Sequence, residues 1–308
     1  MQQIEGFSYP HRIVRAERRE ELKSAIEKDV REGRLSGVIH DSYMRIFCCP
    51  PSKGFGSSAV RSIVIAAVPQ AFSQVSFEWK KTTKLLLVPP SYIRYWEISE
   101  RIEAELNALL SSRGSRVRFA RLPQKLLAVR SGLARYGKNN IAYIPEIGSL
   151  FMLASFYSDL ACLEDTWLEP SSLDACRHCK ACFKACPSGA IQDGSFPIRQ
   201  EQCITFYSGY SGPQEFPSWL NPGWIECLVG CRRCQIVCPA NAKLRAAPPE
   251  QEETFNEDET ALLIEGPPPE KLPPLLKQKL DRMGLIRFFG FSACLEMLKR
   301  KLPLLLAN

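Results

Sequence analysis

The chain has 308 residues, a formal net charge of +7, 45% hydrophobic and 24% charged residues, the make-up of an ordinary soluble protein. That length allows a sizeable core and more than one domain, and no apolar run reaches the roughly 18 residues of a membrane span. Thirteen cysteines without a signal-like leader exclude an oxidised secreted scaffold and predict a cytoplasmic protein whose thiols serve metals, while the mild positive charge selects no partner.

Ala16 to Glu32 is rich in charges with Leu22, Ile26 and Val30 four apart, which predicts an amphipathic helix. Cys48 and Cys49 precede a Pro-Pro pair, and Gly54 to Ser58 reads as a loop; adjacent thiols cannot easily share one cubane, so these two are read as structural. Arg61 to Val68 is a β-branched apolar run stopped by Pro69, hence a buried strand. Leu85 to Val88 is a weaker strand signal ahead of Pro89 and Pro90. Ile93 to Leu110 carries Ile98, Ile102, Leu106 and Leu109 on one helical stripe, and Val117 to Ala120 predicts another strand after Gly114. Strands alternating with helices point to an α/β or α+β layer.

Ser131 to Leu153 is a glycine-rich stretch. Gly132, Gly137 and Gly148 supply close-approach backbone, and Lys138, Asn139, Asn140 and Ser149 supply hydrogen-bond donors. On residues alone this is a helix end, a turn and a strand; the same mix also suits a large polar cofactor.

Cys176, Cys179, Cys182 and Cys186 follow the x2, x2, x3 spacing of a bacterial ferredoxin run, closed by Pro187. Three thiolates reach three corners of one cube, while the fourth, expected at the start of the next helix, ligates the other cluster. Cys231, Cys234 and Cys238 repeat the pattern, closed by Pro239. Crossing then assigns Cys176, Cys179, Cys182 and Cys238 to one 4Fe–4S cluster and Cys186, Cys231 and Cys234 to a second, whose last ligand is Cys203 or Cys227. Paired Cys-x2-Cys knuckles also build zinc sites, but tetrahedral zinc needs only two thiolates from each run.

Between the runs, Gly209, Gly212, Pro213, Pro217 and Pro222 mark a turn-rich insert with Trp219 and Trp224. Ala246 to Glu270 is acidic and proline-rich, the composition of a linker. Lys271 to Leu306 is basic and apolar, and Pro273, Pro274, Gly284 and Gly290 interrupt its period, predicting a small helical cap.

Taken together, Gly132 to Asn140, Pro145 to Leu153, Ser158-Asp159-Leu160 and the two cysteine runs resemble the epoxyqueuosine reductases and, more distantly, the reductive dehalogenases. The resemblance spans about Arg61 to Lys243. It implies two 4Fe–4S clusters wired to a cobalamin, in an α+β protein. Residues 1–165 would form a nitroreductase-like corrinoid-binding and catalytic layer, 166–245 a ferredoxin-like two-cluster module, and 246–308 a proline-rich linker and helical cap. It also implies cofactor contacts at Lys138, Asn139, Asn140, Gly148, Ser149 and Leu153, and it favours Cys203, in Cys-Ile-Thr-Phe, over Cys227.

Two departures shape the functional expectation. The family's aspartate acid, in a Val-Asp-Thr-like element, has no counterpart in Arg118-Phe-Ala-Arg-Leu-Pro-Gln-Lys125, and the tail is too short for the family's helical-repeat extension that grips tRNA. Arginine cannot serve as the acid; Lys125, Tyr136 and Tyr143 are the available substitutes, though the ordinary reading of each is structural. The expected protein is therefore a cobalamin-dependent reductase of a small molecule rather than tRNA, fed by flavodoxin or ferredoxin. The alternatives are a ferredoxin-type carrier without corrinoid and a tRNA epoxyqueuosine reductase with a rearranged acid.

Overall fold

The computed structural model describes residues 2–35, 37–47, 55, 59–89, 92–145, 147–194, 196–208, 216–242 and 248–307. Cys48, Cys49, Gly209, Gly212, Pro213 and all of the Gly54–Ser58 loop except Phe55 lie outside them. From the N-terminus the elements are β1 (His11–Arg15), α1 (Arg18–Arg31), α2 (Gly37–Phe47), β2 (Ser62–Pro69), β3 (Ser73–Trp79), β4 (Thr82–Val88) and α3 (Tyr95–Leu110). Then come β5 (Val117–Phe119), α4 (Gln124–Arg130), β6 (Arg135–Tyr136), β7 (Ala142–Tyr143) and β8 (Phe151–Ser158). Among the described residues the α-helices of the cysteine-rich part are short: α5 (Ala181–Ala185), α6 (Ile204–Ser208) and α7 (Arg233–Ile236). The C-terminal part forms β9 (Glu250–Phe255), α8 (Glu257–Glu265), α9 (Pro274–Arg282), α10 (Leu285–Phe289) and α11 (Phe291–Leu306).

Two compact units interleave along the chain: Met1–Pro69, Ile98–Cys179 and Ser195–Gln200 form one, and Gln70–Glu97, Lys180–Gly194 and Glu201–Asn308 the other. The division differs from the consecutive one drawn from the motifs, and it cuts the first cysteine run after Cys179.

The first unit is built on a four-stranded sheet in the order β1-β2-β8-β5, antiparallel throughout. The Ser-Ile-Val-Ile-Ala-Ala-Val run of β2 and all eight residues of β8 are buried, so both central strands are covered on both faces. Each such aliphatic side chain stabilises by about 1.5–3 kcal/mol relative to exposure. Alternate residues Ile63, Ile65 and Ala67 share a core with Leu22 and Ile26 of α1 and Leu127 and Ala128 of α4. The predicted stripe on α3 is buried at Ile98, Ile102, Leu106 and Leu110, one residue beyond the expected Leu109. The mixed architecture is α+β, because antiparallel pairing replaces parallel βαβ crossovers.

The second unit holds a three-stranded sheet, β4-β3-β9. Its β3–β4 hairpin turns at Lys80 and Lys81, both with positive φ. The linker expected at Ala246 to Glu270 is corrected here: within it lie β9, which pairs parallel with β3, and helix α8. Phe255 stacks on Phe77 with ring centroids 5.0 Å apart, and both are fully buried. Asn256 accepts from the Glu259 N–H while the Glu259 carboxylate accepts from the Asn256 N–H, a complete capping box. Acidic composition hid two ordered elements whose acids find partners in the fold: Glu252 accepts from Ser73, Glu253 pairs with Arg282 and Glu259 with Lys279. In the tail, Gly284 (φ 71°) and Gly290 (φ 84°) divide the expected cap into α9, α10 and α11. Among the described residues no helix is long and apolar enough to cross a membrane.

Candidate functional site

In the first unit, α4 ends in a left-handed Gly132 (φ 72°) whose N–H donates to the Val129 carbonyl. The chain then makes the β6–β7 hairpin. Gly137 N–H donates to the Ile141 carbonyl at 2.8 Å, and Asn140 sits at the turn with φ 59°. A second turn, closed by the Gly148 N–H on the Ile144 carbonyl at 2.9 Å, leads into β8. The other edge of β6 binds the segment entering the first cysteine run: Tyr136 N–H donates to Ser171, and Leu173 N–H to Tyr136.

These turns sort the six predicted cofactor contacts. Asn140 lines a cavity of about 200 Å³, together with Lys125, Tyr136, Phe196 and the Asp29–Arg34 ion pair. Lys138 points to the cysteine loop, its ammonium 3.4 Å from the carbonyls of both Arg177 and Cys179. Asn139 is 4% exposed and donates from its amide to the Tyr143 hydroxyl at 2.8 Å. Gly148 (φ 73°) closes its turn, and Ser149 and Leu153 are buried, Leu153 opposite Ala67. Of the three stand-in proton sources, Lys125 and Tyr136 meet at the cavity, whereas Tyr143 is 1% exposed and engaged by Asn139. Arg118 is spent on Glu103 at 3.0 Å.

Gly137 tests this packing. A Cβ there would stand 2.6 Å from Asn139 Oδ1 and 2.6 Å from the Tyr143 ring, neither of which has room to retreat. Gly137→Ala should therefore cost about 1–3 kcal/mol, read as a lower denaturant midpoint with an unchanged m-value.

Among the described residues no cysteine is in a disulfide. In the first unit, Cys176 ends a single 3₁₀ turn (Asp174–Cys176) and Cys179 N–H donates to its carbonyl at 3.3 Å. In the second, Cys182 lies inside α5 and Cys234 inside α7, and these two helices pack together. Cys186 follows α5 rather than starting a helix, a correction to the expected placement of the fourth thiol: Pro187 stops the helical path there. Cys238 follows α7 in the same way.

Cys231 lies electrostatically close to two other thiols. Desolvation pushes its thiol up to about 11, and charge on Cys203 and Cys186 pushes the same way, so these three sulfurs lie within mutual electrostatic reach. Cys227 is 1% exposed; burial pushes it up to about 12, with Cys231 adding to the shift. Its backbone bridges to Leu87, and it belongs to the unit's core. Among the described residues no three His, Cys, Asp or Glu side chains converge tightly enough for a single ion.

Three of the basic residues within the runs have partners of their own: Lys180 pairs with Asp193, Arg233 with Glu226, and Arg232 lies over the Phe72 ring. Two groups the sequence reading missed stand close to these thiols. Desolvation, helped by charge on Cys203 and Cys227, pushes the partly buried Tyr92 up to about 12. Lys301, on α11, is fully buried; desolvation is the largest influence and lowers it to about 7, against the opposing pull of Cys227 and Cys231. Its signal was spacing: Cys294, Leu298, Lys301 and Leu305 run 4-3-4 along one face of α11, so a lysine occupies an apolar stripe.

A family model for a 4Fe-4S double cluster binding domain matches residues 175–241, which take in both runs, Cys203 and Cys227. Curated relatives named epoxyqueuosine reductase include one from Francisella cf. novicida (strain Fx1), 35% identical over 120 residues, covering 38% of this chain and 32% of the relative. Another, from Pseudomonas aeruginosa, is 31% identical over 151 residues, covering 48% of this chain and 39% of the relative. The matches thus span little more than a third of the relatives' own length. The solved epoxyqueuosine reductase of Streptococcus thermophilus superposes with a TM-score of 0.59 over 97% of this chain and 77% of its own, at 17% identity. An epoxyqueuosine reductase solved with an epoxyqueuosine-modified tRNA-Tyr stem loop gives 0.57 over 96% of this chain and 76% of its own, at 19% identity. The resemblance read from the motifs therefore holds in sequence, and the fold is shared. The expectation of a small-molecule substrate in place of tRNA is overturned by the same findings: the relatives are named for epoxyqueuosine, and one structure of this fold was solved with a modified tRNA stem loop.

Proposed function

We propose that this chain is an iron–sulfur oxidoreductase that reduces epoxyqueuosine in tRNA. The observation that carries the reading is the double-cluster domain at residues 175–241 beside relatives of that name. Deoxygenating an epoxide to an alkene takes two electrons and two protons and releases the oxygen as water. Cobalamin, the further cofactor the resemblance implies, supplies the reducing metal centre when bound, and the clusters supply single electrons.

The chain's own residues divide the work. Cys176, Cys179, Cys182 and Cys238 hold one cluster; Cys186, Cys203, Cys231 and Cys234 hold the other. The electrostatic closeness of Cys231 to Cys203 and Cys186 supports the second set. For the corrinoid we assign Lys138, Asn139, Asn140, Gly148, Ser149 and Leu153. Asn140 provides contact at the cavity, Lys138 ties the hairpin to the cysteine loop, and the buried Asn139, Ser149 and Leu153 keep the two turns in shape. Buried, internally satisfied polar groups hold such a surface rigid. The N-terminal layer is read as nitroreductase-like on the same resemblance. Lys125 holds the proton for the opened oxygen at the cavity.

The test is turnover. Protein purified without oxygen, reconstituted with iron, sulfide and cobalamin and reduced with dithionite, should convert epoxyqueuosine in tRNA to queuosine, read by nucleoside mass spectrometry. A protein with full iron and bound cobalamin that leaves the epoxide intact would remove tRNA from the proposal.

A further inference from the structure

Lys301 has an unusual position for a lysine. Its side chain is fully buried within a core that includes Cys294, Leu298, Leu302 and Leu305. Its ammonium donates to the Ser208 carbonyl at 3.1 Å and to the Leu228 carbonyl at 2.5 Å. Ser208 ends α6, the helix that begins directly after Cys203. Leu228 precedes Cys231 by three residues, and its own N–H is fixed to the Leu87 carbonyl. One side chain therefore joins the two segments that present Cys203 and Cys231. The junction is reinforced by Ser208 Oγ donating to the Gly230 carbonyl at 3.0 Å and by the Arg300 guanidinium donating to Tyr207 at 3.1 Å.

Burying an ammonium among aliphatic side chains is costly, and a methionine would fill much of the same space without that cost. The charge has a use if something negative stands nearby. A cubane held by four thiolates is anionic, and each electron it takes makes it more so; a fixed cation in a low-dielectric core stabilises the reduced form.

We propose that Lys301 is a positioning residue for the second cluster, tying the Cys203 and Cys231 segments together and raising that cluster's reduction potential through its buried charge. This rests on the double-cluster reading above. The test uses full-length, anaerobically reconstituted protein in the wild-type, K301M, K301Q and K301R forms, with iron analysis and an EPR-monitored redox titration. C231A identifies the signal of the second cluster. K301Q keeps donors for the two carbonyls but removes the charge. It should retain both clusters, with reduction of the second made at least tenfold less favourable, a shift of 59 mV for one electron, and the first unmoved. K301R should stay at the wild-type potential. K301M should shift the second cluster at least as far as K301Q or lose it alone. Unchanged potentials in K301Q and K301M with full iron would overturn the proposal. So would loss of both clusters together with the fold in K301Q, which would make the lysine merely structural. A wild-type protein that takes up little iron under the same conditions would sink the double-cluster reading itself, and the proposal with it.

Discussion

Cys203→Ala should leave the protein with about four irons where the intact chain holds about eight, and with no turnover, whereas Cys227→Ala should keep both clusters. On the proposed ligand set the two thiols are rivals for one coordination place, and they differ in burial. Cys203 is half-buried, at the entrance to a short helix, and its charge acts on Cys231 together with that of Cys186. Cys227 is sealed in the core, its backbone bridged to Leu87 on the edge strand of the second sheet. Losing its sulfur should therefore act on stability alone, in the range of a buried large-to-small change. Iron analysis with the EPR signals of each reduced variant decides the matter. Iron falling in Cys227→Ala and not in Cys203→Ala would exchange the two assignments.

Where the sequence spoke clearly, it did so through periodicity and spacing. The β-branched run became β2, the stripe from Ile98 became α3, and the two cysteine runs lie within the double-cluster domain. Composition misled at β9 and α8, because Gln251, Glu252 and Glu253 belong to a strand paired to the sheet along one edge, and its apolar anchor is the single Phe255. The signal that outweighed composition was local: Asn256 and Glu259 at capping-box spacing before Leu262 and Leu263. Within the glycine-rich stretch, residue types announced a pair of turns but not their facing. Asn139 and Asn140 are neighbours of equal chemistry, yet one is locked against Tyr143 while the other, in a left-handed conformation, lines the cavity. That distinction depends on backbone handedness at one residue, which no spacing rule encodes. The absence of a carboxylate between Arg118 and Lys125 points, in sequence alone, to a different substrate. In three dimensions the same stretch runs from β5 to Lys125 at the start of α4, so a donor of another type stands at its far end.

On the proposed tRNA reading, Lys125→Met should slow epoxide reduction by about 10²–10⁴-fold, the usual weight of a general acid, with tRNA binding and iron content unchanged. Opening the epoxide leaves an oxygen that must gain a proton before it departs as water, and arginine cannot supply one. Lys125 sits in the first turn of α4 with its ammonium held 3.1 Å from the Asn140 carbonyl, and both residues line the cavity. Tyr136 lines it too, but its ring lies against Phe196, and Tyr136→Phe should cost much less. Lys125→Arg separates the two things an ammonium can do. It preserves the positive charge but has no proton to give near neutral pH, so a true acid role predicts that arginine fails almost as badly as methionine. If arginine restores the rate, Lys125 acts by charge alone. If methionine already runs at the wild-type single-turnover rate with pre-reduced protein, the proton comes from elsewhere, and the cavity is not where the oxygen is released.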